Sequence, residues 1–237
     1  MKTLIFLLIF ASISFSQTFK SSEYKTPLIE LYTSQGCSSC PPADKWLSSL
    51  KDEEKLFKEF IPLAFHVTYW DFLGWKDKFA NIKYDIRQRE YSKIWNKNSL
   101  YTPQFTIDAK EYRKWFYTKS LPTYTKEYGG ILKATLNKEG NLSIEYTNKK
   151  INNKEVTVNI ALLGMNYSIP IKRGENAHKI LRHDFVVLKH LKKKLAIKDS
   201  NLQLNTKINL EKDHEGLVVW ISDKKLNQYQ AVATYIE

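Results

Sequence analysis

Leu28-Ile29-Glu30-Leu31-Tyr32-Thr33-Ser34-Gln35-Gly36-Cys37-Ser38-Ser39-Cys40-Pro41-Pro42 holds both cysteines of the chain, with two residues between them. Leu28 to Thr33 follows Pro27 and reads as a short buried strand, Gly36 supplies a turn, and the residues from Pro42 to Leu50 have helical spacing. The pair therefore sits where a strand turns into a helix. A thiol at a helix N-terminus meets unpaired backbone N–H groups and the positive end of the helix dipole, and both favour thiolate over thiol. A redox-active pair is the preferred reading. An inert disulfide is the plainer rival, although a bridge closing so short a loop restrains the unfolded chain only weakly. Metal binding is the third, with too few cysteines for an all-cysteine tetrahedral site and no His-x-x-x-His pattern to complete one.

Toward the N-terminus, Lys2 precedes the apolar run Leu4 to Ala11, and Ser14-Phe15-Ser16 offers small residues for cleavage. Residues 1–16 read as a secretory signal, so the mature protein is expected to be exported, periplasmic or secreted, where disulfides persist. The run is short for a membrane span and no later stretch approaches one. The formal charge of +12 raises the question of a nucleic-acid partner. The basic residues are nearly all lysine, which supplies solvated point charge and not forked phosphate recognition, so a specific nucleic-acid partner is not expected.

Toward the C-terminus, Lys51 to Phe60 continues helical or makes a second short turn, and Ile61 to Tyr69 reads as a buried strand carrying His66. Strand, helix, strand in that order predicts a crossover with parallel strands. Asp71 to Lys78 reads as a loop. Phe79 to Trp95 reads as a helix whose apolar stripe is Phe79, Ile82, Ile86, Tyr91, Ile94 and Trp95. Ser99 to Gln104 leads into a strand at Phe105 to Asp108, and Lys110 to Tyr128, broken by Pro122, is weakly helical. From Gly129 short alternating segments follow: 131–136, 142–146, 156–163, 167–171, 178–188, 207–210, 217–222 and 230–236. Closely spaced strands favour an antiparallel sandwich. The expected organisation is an α/β domain over residues 22–128 and a β-rich domain over 129–237.

Four segments resemble the exported thioredoxin-like family catalogued as domain of unknown function 1223. They are Glu30 to Asp44, His66-Val-Thr-Tyr-Trp-Asp-Phe-Leu-Gly-Trp-Lys-Asp77, Tyr101-Thr-Pro-Gln104 and Arg173-Gly-Glu-Asn-Ala177. The resemblance implies a thioredoxin-like N-terminal fold followed by a β-sandwich-like part. It also implies roles. Cys37 would be the nucleophile, Cys40 the resolving thiol and Pro103 a cis-proline opposite them, with the Thr102 backbone placed to pair with an extended substrate. Glu30, displaced by one residue from the carboxylate that thioredoxins bury beneath the pair, is a candidate proton acceptor. The chain departs from thioredoxin in enclosing Ser38-Ser39 between the cysteines and in placing Gly36 where a tryptophan usually stands.

Tyr69, Trp70 and Trp75 are candidates for a partner-binding groove or for packing. His66 on an apolar strand reads more readily as a hydrogen-bonded core histidine than as a base or ligand. Arg173-Gly-Glu-Asn reads as a turn, with a binding role open for Glu175 and Asn176. Lys189 and Lys192 to Lys194 read as a solvated strand edge or loop. The expected function is an exported thiol–disulfide oxidoreductase acting on client or redox-partner proteins through Cys37, with no cofactor and no resident metal. The alternative is an exported binding module for partner proteins or Cu(I), in which His66 joins the cysteines as a ligand.

Overall fold

A computed structural model describes residues 16–118, 121 and 126–237. Residues 1–15 of the expected signal, and Pro122, lie outside the described residues.

In chain order, β1 (Ser16–Lys20) is followed by β2 (Leu28–Thr33), α1 (Pro41–Ser49), β3 (Ile61–His66), α2 (Ile82–Ile94), β4 (Gln104–Ile107), β5 (Lys110–Glu111) and the single turn α3 (Trp115–Thr118). All six positions of β2 and of β3 are buried, as expected of strands covered on both faces. Leu28 pairs with Ile61 and Thr33 with His66 in parallel register, which is the predicted crossover, while β4 returns antiparallel on the other side of β2. Side chains alternate along β2, so Leu31 and Thr33 face α1 while Glu30 and Tyr32 face α2.

The second half supplies β6 (Ile131–Asn137), β7 (Asn141–Thr147), β8 (Lys154–Gly164), β9 (Tyr167–Pro170), β10 (Ile180–His183), β11 (Val186–Ile197), β12 (Asn201–Lys207), β13 (Gly216–Ser222) and β14 (Gln228–Tyr235). Among the described residues, β1-β6-β7-β12 form one sheet and β14-β13-β8-β11-β3-β2-β4-β5 another. The two sheets pack over an apolar layer that includes Leu132, Ile144 and Tyr146 from one and Val158, Ile160, Val219 and Val232 from the other. That is the sandwich. The opposite faces of β8, β13 and β14 contribute Ala161, Leu163, Val218, Trp220 and Ala231 to the core of the first half, so these strands are covered on both sides.

The halves are joined through the sheet. Ala64 N–H donates to Phe185 O at 2.8 Å where β11 runs parallel to β3. The side chains of Gln228 and Gln230 on β14 satisfy the backbone from Thr26 to Leu28, which leads into β2. Residues 128 and 129 thus mark a change of texture along the chain, while in space the two parts share one sheet.

Three readings need correction. In α2, Ile82, Ile86 and Ile94 are exposed, and the buried face is Tyr84, Asp85, Arg87, Gln88, Tyr91 and Ser92. A buried ion pair, described below, rotates the helix away from its apolar stripe. The single strand expected over 178–188 is divided into β10 and β11 by a turn at Asp184 and Phe185, with Phe185 at φ 56°. The strand expected at 207–210 instead ends at Lys207; its body, Asn201–Lys207, is an amphipathic strand built largely of polar residues.

Candidate functional site

Backbone hydrogen bonds shape the cysteine loop. β2 ends at Thr33, and Cys37 N–H returns to Ser34 O at 3.2 Å while Cys40 N–H reaches Cys37 O at 3.3 Å. Cys40 is the N-cap of α1, and Pro41 and Pro42 occupy the first two helical positions, where a missing N–H costs no helical bond. Cys37 and Cys40 are joined as a disulfide, with Cα atoms 5.5 Å apart. Gly36 is closely packed against Trp70. A Cβ there would lie 3.1 Å from both Cβ and O of Trp70, so any side chain at this position would have to push Trp70 aside.

Thr102–Pro103 is cis, as the resemblance implies, and Cys37 Sγ lies 3.8 Å from Thr102 O. Ser39 Oγ donates to the same carbonyl at 3.4 Å. Next to it a groove of about 530 Å³ is lined by Ser39, Tyr101, Thr102, Pro103, Arg113, Trp115, Phe116 and Tyr117. Phe116 and Tyr117 are exposed at its rim. Trp115, Phe116 and Tyr117 fall in the weakly helical segment 110–128, and no periodicity marks them.

Tyr69 and Trp70 stand behind the loop and not in the groove. Trp70 Nε1 donates to Thr102 Oγ1 at 2.7 Å, and Tyr69 OH donates to Gln88 Oε1, whose amide in turn donates to Tyr101 O at 2.8 Å. Both side chains therefore brace the Thr102–Pro103 segment. Trp75 Nε1 donates to Gln35 Oε1 at 2.9 Å and braces the cysteine loop.

The Arg173–Asn176 turn packs on the cysteine loop. Asn176 Nδ2 donates to Gln35 O at 3.0 Å and Cys37 O at 2.8 Å, and Glu175 Oε2 accepts from Ser38 N–H at 2.9 Å. Hydrogen bonding from the Ser38 side chain, and then from its backbone N–H, holds the Glu175 carboxyl below its ordinary pKa. Gly174 takes φ +78°, a conformation other residues adopt only with strain, and sits 3.2 Å, at its Cβ position, from Leu73 O. The second half thus clamps the cysteine loop of the first. Cys37 is 1% and Cys40 0% exposed beneath this cover.

Glu30 is buried, but on the α2 face, where it has a different task from the one expected. Arg87 donates to it twice, from Nε to Oε2 at 2.8 Å and from Nη2 to Oε1 at 2.6 Å. Tyr32 OH donates to Oε2 at 2.9 Å and Tyr91 OH to Oε1 at 2.8 Å. A carboxylate offers about four acceptor positions, and here all are taken, leaving none for a cysteine proton. The same burial and negative charge raise the Tyr32 and Tyr91 pKa values far above normal, so both stay donors.

His66 lies on the α1 face. Its Nδ1 is 2.7 Å from Asp77 Oδ2, and Asp77 also accepts from Gln35 N–H at 2.9 Å, so one carboxylate ties the histidine to the cysteine loop. Burial pulls the imidazole pKa down, the Asp77 carboxylate pushes it up, and the result is raised; Asp77 is lowered in return despite its own burial. Among the described residues, the group of potential metal ligands containing His66 is completed by Asp44 and His183 and contains no cysteine, so His66 does not join the sulfurs as the alternative copper reading allows.

The fold agrees with two solved structures. One is a crystal structure of the Agrobacterium tumefaciens protein AGR_C_4864, with a TM-score of 0.62 at 19% identity, covering 91% of this chain and 96% of that one. The other is HBP35 of Porphyromonas gingivalis, with a TM-score of 0.56 at 13% identity, covering 91% of this chain and 76% of that one. No match is found among curated proteins. The architecture is thioredoxin-like followed by a β-sandwich. A family model described as "Protein of unknown function (DUF1223)" matches residues 28–222, from the strand that leads to the cysteines to the end of β13, and the chain belongs to that family.

Proposed function

We propose that the chain is an exported thiol–disulfide oxidoreductase in which Cys37 attacks a partner disulfide and Cys40 resolves the mixed disulfide. The observation that carries this reading is the position of the Cys37–Cys40 pair, at the N-terminus of α1 and 3.8 Å from the Thr102 carbonyl of the cis-proline loop, with an aromatic groove beginning at Ser39. An extended partner segment laid in that groove would bring its disulfide to the pair while its backbone pairs along Thr102. From the reduced protein, the Cys37 thiolate forms a bond to one partner sulfur and expels the other as a thiolate. Cys40 thiolate then bonds to Cys37 and releases the first sulfur, so two electrons pass to the partner. Export is supported by the apolar N-terminal run and suits this chemistry.

The test is the reduced protein against a model disulfide, together with a Cys40→Ala trap. The expected results are reduction by wild type above the Cys37→Ser/Cys40→Ser background, faster alkylation of Cys37 than of Cys40, and accumulation of covalent complexes in Cys40→Ala. A second reading, a partner-binding module without turnover, is favoured by one feature, the 1% exposure of Cys37. It replaces the first if wild type neither reduces nor isomerises a model disulfide above that background and Cys40→Ala traps nothing.

A further inference from the structure

On the α1 face of the shared sheet, Asp44, His66 and His183 each bring one potential ligand atom within 4.8 Å of the other two. They come from three elements, α1, the end of β3 and the end of β10, so no sequence spacing announces them. Their burial is nearly complete, at 5%, 0% and 1% exposed respectively. His66 Nε2 and both ring nitrogens of His183 have no hydrogen-bond partner. Buried polar atoms are rarely left so, because each orphan costs on the order of 1 to 3 kcal/mol. Three in one cluster mark a place where a partner is missing from the protein's own atoms.

The surrounding contacts are those of metal ligands. Asp77 is an acceptor only, so His66 Nδ1 must donate to it, which leaves Nε2 as the nitrogen free to serve as a ligand. A carboxylate behind a histidine in this way fixes the tautomer and raises ligand basicity. Asp44 is likewise oriented, with Thr33 Oγ1 donating to its Oδ2 at 2.9 Å while Oδ1 stands 3.5 Å from His183 Nδ1. Two imidazoles and one carboxylate suit a borderline divalent ion, and three protein ligands leave a fourth position for water. A pocket of about 560 Å³ between α1 and β10 borders Asp44 and His183 and gives an ion a way in.

We propose that Asp44, His66 and His183 form a binding site for Zn²⁺ or a chemically similar divalent transition metal, one helical turn from Cys40 but independent of the sulfurs. Donors on one tetrahedral ion lie about 3.4 Å apart, so the side chains draw together on binding. The ion would tie α1 and β3 to β10.

The experiment titrates the purified, metal-stripped protein, disulfide closed, with Zn²⁺ by calorimetry and with Co²⁺ by absorption. One equivalent of Zn²⁺ should bind. Asp44→Asn and His183→Gln should each weaken it at least ~30-fold, Asp77→Asn should weaken it ~10- to 100-fold, and Cys37→Ser/Cys40→Ser should leave it unchanged. Wild type loaded with Co²⁺ should show ligand-field bands of a nitrogen and oxygen site without thiolate charge transfer, a readout that holds even if a variant fails to fold. Zn²⁺ affinity no tighter than ~100 µM in wild type, equal affinity in folded Asp44→Asn and His183→Gln, or a thiolate band in the Co²⁺ spectrum would each overturn the assignment.

Discussion

Two buried polar clusters sit back to back on the faces of β2 and β3. On the α2 face, Glu30 has every acceptor position filled by Arg87, Tyr32 and Tyr91, and the guanidinium is surrounded by the rings of Phe65, Tyr91 and Trp220 at 5.4 to 5.6 Å. On the α1 face, Asp44 is held by Thr33, while His66 Nε2 and both ring nitrogens of His183 have no hydrogen-bond partner among the described residues. Burial is equal, chemistry is not. The Glu30 carboxylate is fully hydrogen-bonded, with only Arg87 Nη1 left over on that face, whereas three ring nitrogens are unfilled on the other, as the proposed ion site requires.

The comparison is broken most forcefully on the closed side. Arg87→Met leaves Glu30 charged, buried and short of two donors, and should lower unfolding free energy by about 3 to 5 kcal/mol in urea titration. Glu30→Gln with Arg87→Met should recover much of that loss, since a neutral pair no longer strands a charge.

Asp77 belongs to the open side but carries framework bonds as well, accepting from Gln35 N–H and Phe79 N–H besides His66. Asp77→Asn should cost about 1.5 to 3 kcal/mol by the same measurement. It should also quicken alkylation of Cys37 in the reduced protein, because the loop has lost an anchor.

A second histidine extends the closed side. His190 stacks on Trp220 at 4.9 Å, and burial, followed by repulsion from Arg87, Lys192 and Lys83, holds its pKa well below the ordinary value. The unfolded chain therefore takes up this proton first as the solution is acidified. Its contribution is intact above about pH 6.5 and declines below, by up to about 1.4 kcal/mol per pH unit, until the folded pKa is reached. Wild type minus His190→Gln, measured as stability against pH, should show that slope. A flat difference would place a charged imidazole beside Arg87.

The smallest effect is the most telling. His183 has no hydrogen bonds to lose. In metal-free protein His183→Leu should change stability by no more than about 1 kcal/mol, against several for Arg87→Met, although both residues are buried. A loss as large as that of Arg87→Met would mean that the open cluster is framework too.

The sequence declared the first half of the site far better than this contrast. Buried β2, the turn at Gly36, α1 beginning beside the prolines and the strand after Pro103 could be read from local pattern, because backbone preference and burial agree there. The facing of α2 could not. Its isoleucines make an apolar stripe, yet Arg87 must reach Glu30, and a buried ion pair formed across 57 positions leaves no periodic trace. The cluster of Asp44, His66 and His183 is silent for the same reason, since its members meet only through sheet pairing between the halves. The Arg173–Asn176 turn was visible as a turn, while its grip on the cysteine loop depends on a contact between residues 139 positions apart.

That grip and the pairing of β11 with β3 have a consequence for how the chain could be divided. A fragment ending near residue 128 would keep the cysteines but leave β3 as an open sheet margin, offering its free N–H and C=O groups to the same margin of another molecule. It would also strip Gln35 and Cys37 of the amide that holds their carbonyls. Such a fragment would be a self-associating particle with a freely presented disulfide, and its reactivity would report on exposure created by the cut, not on the chemistry of the intact protein.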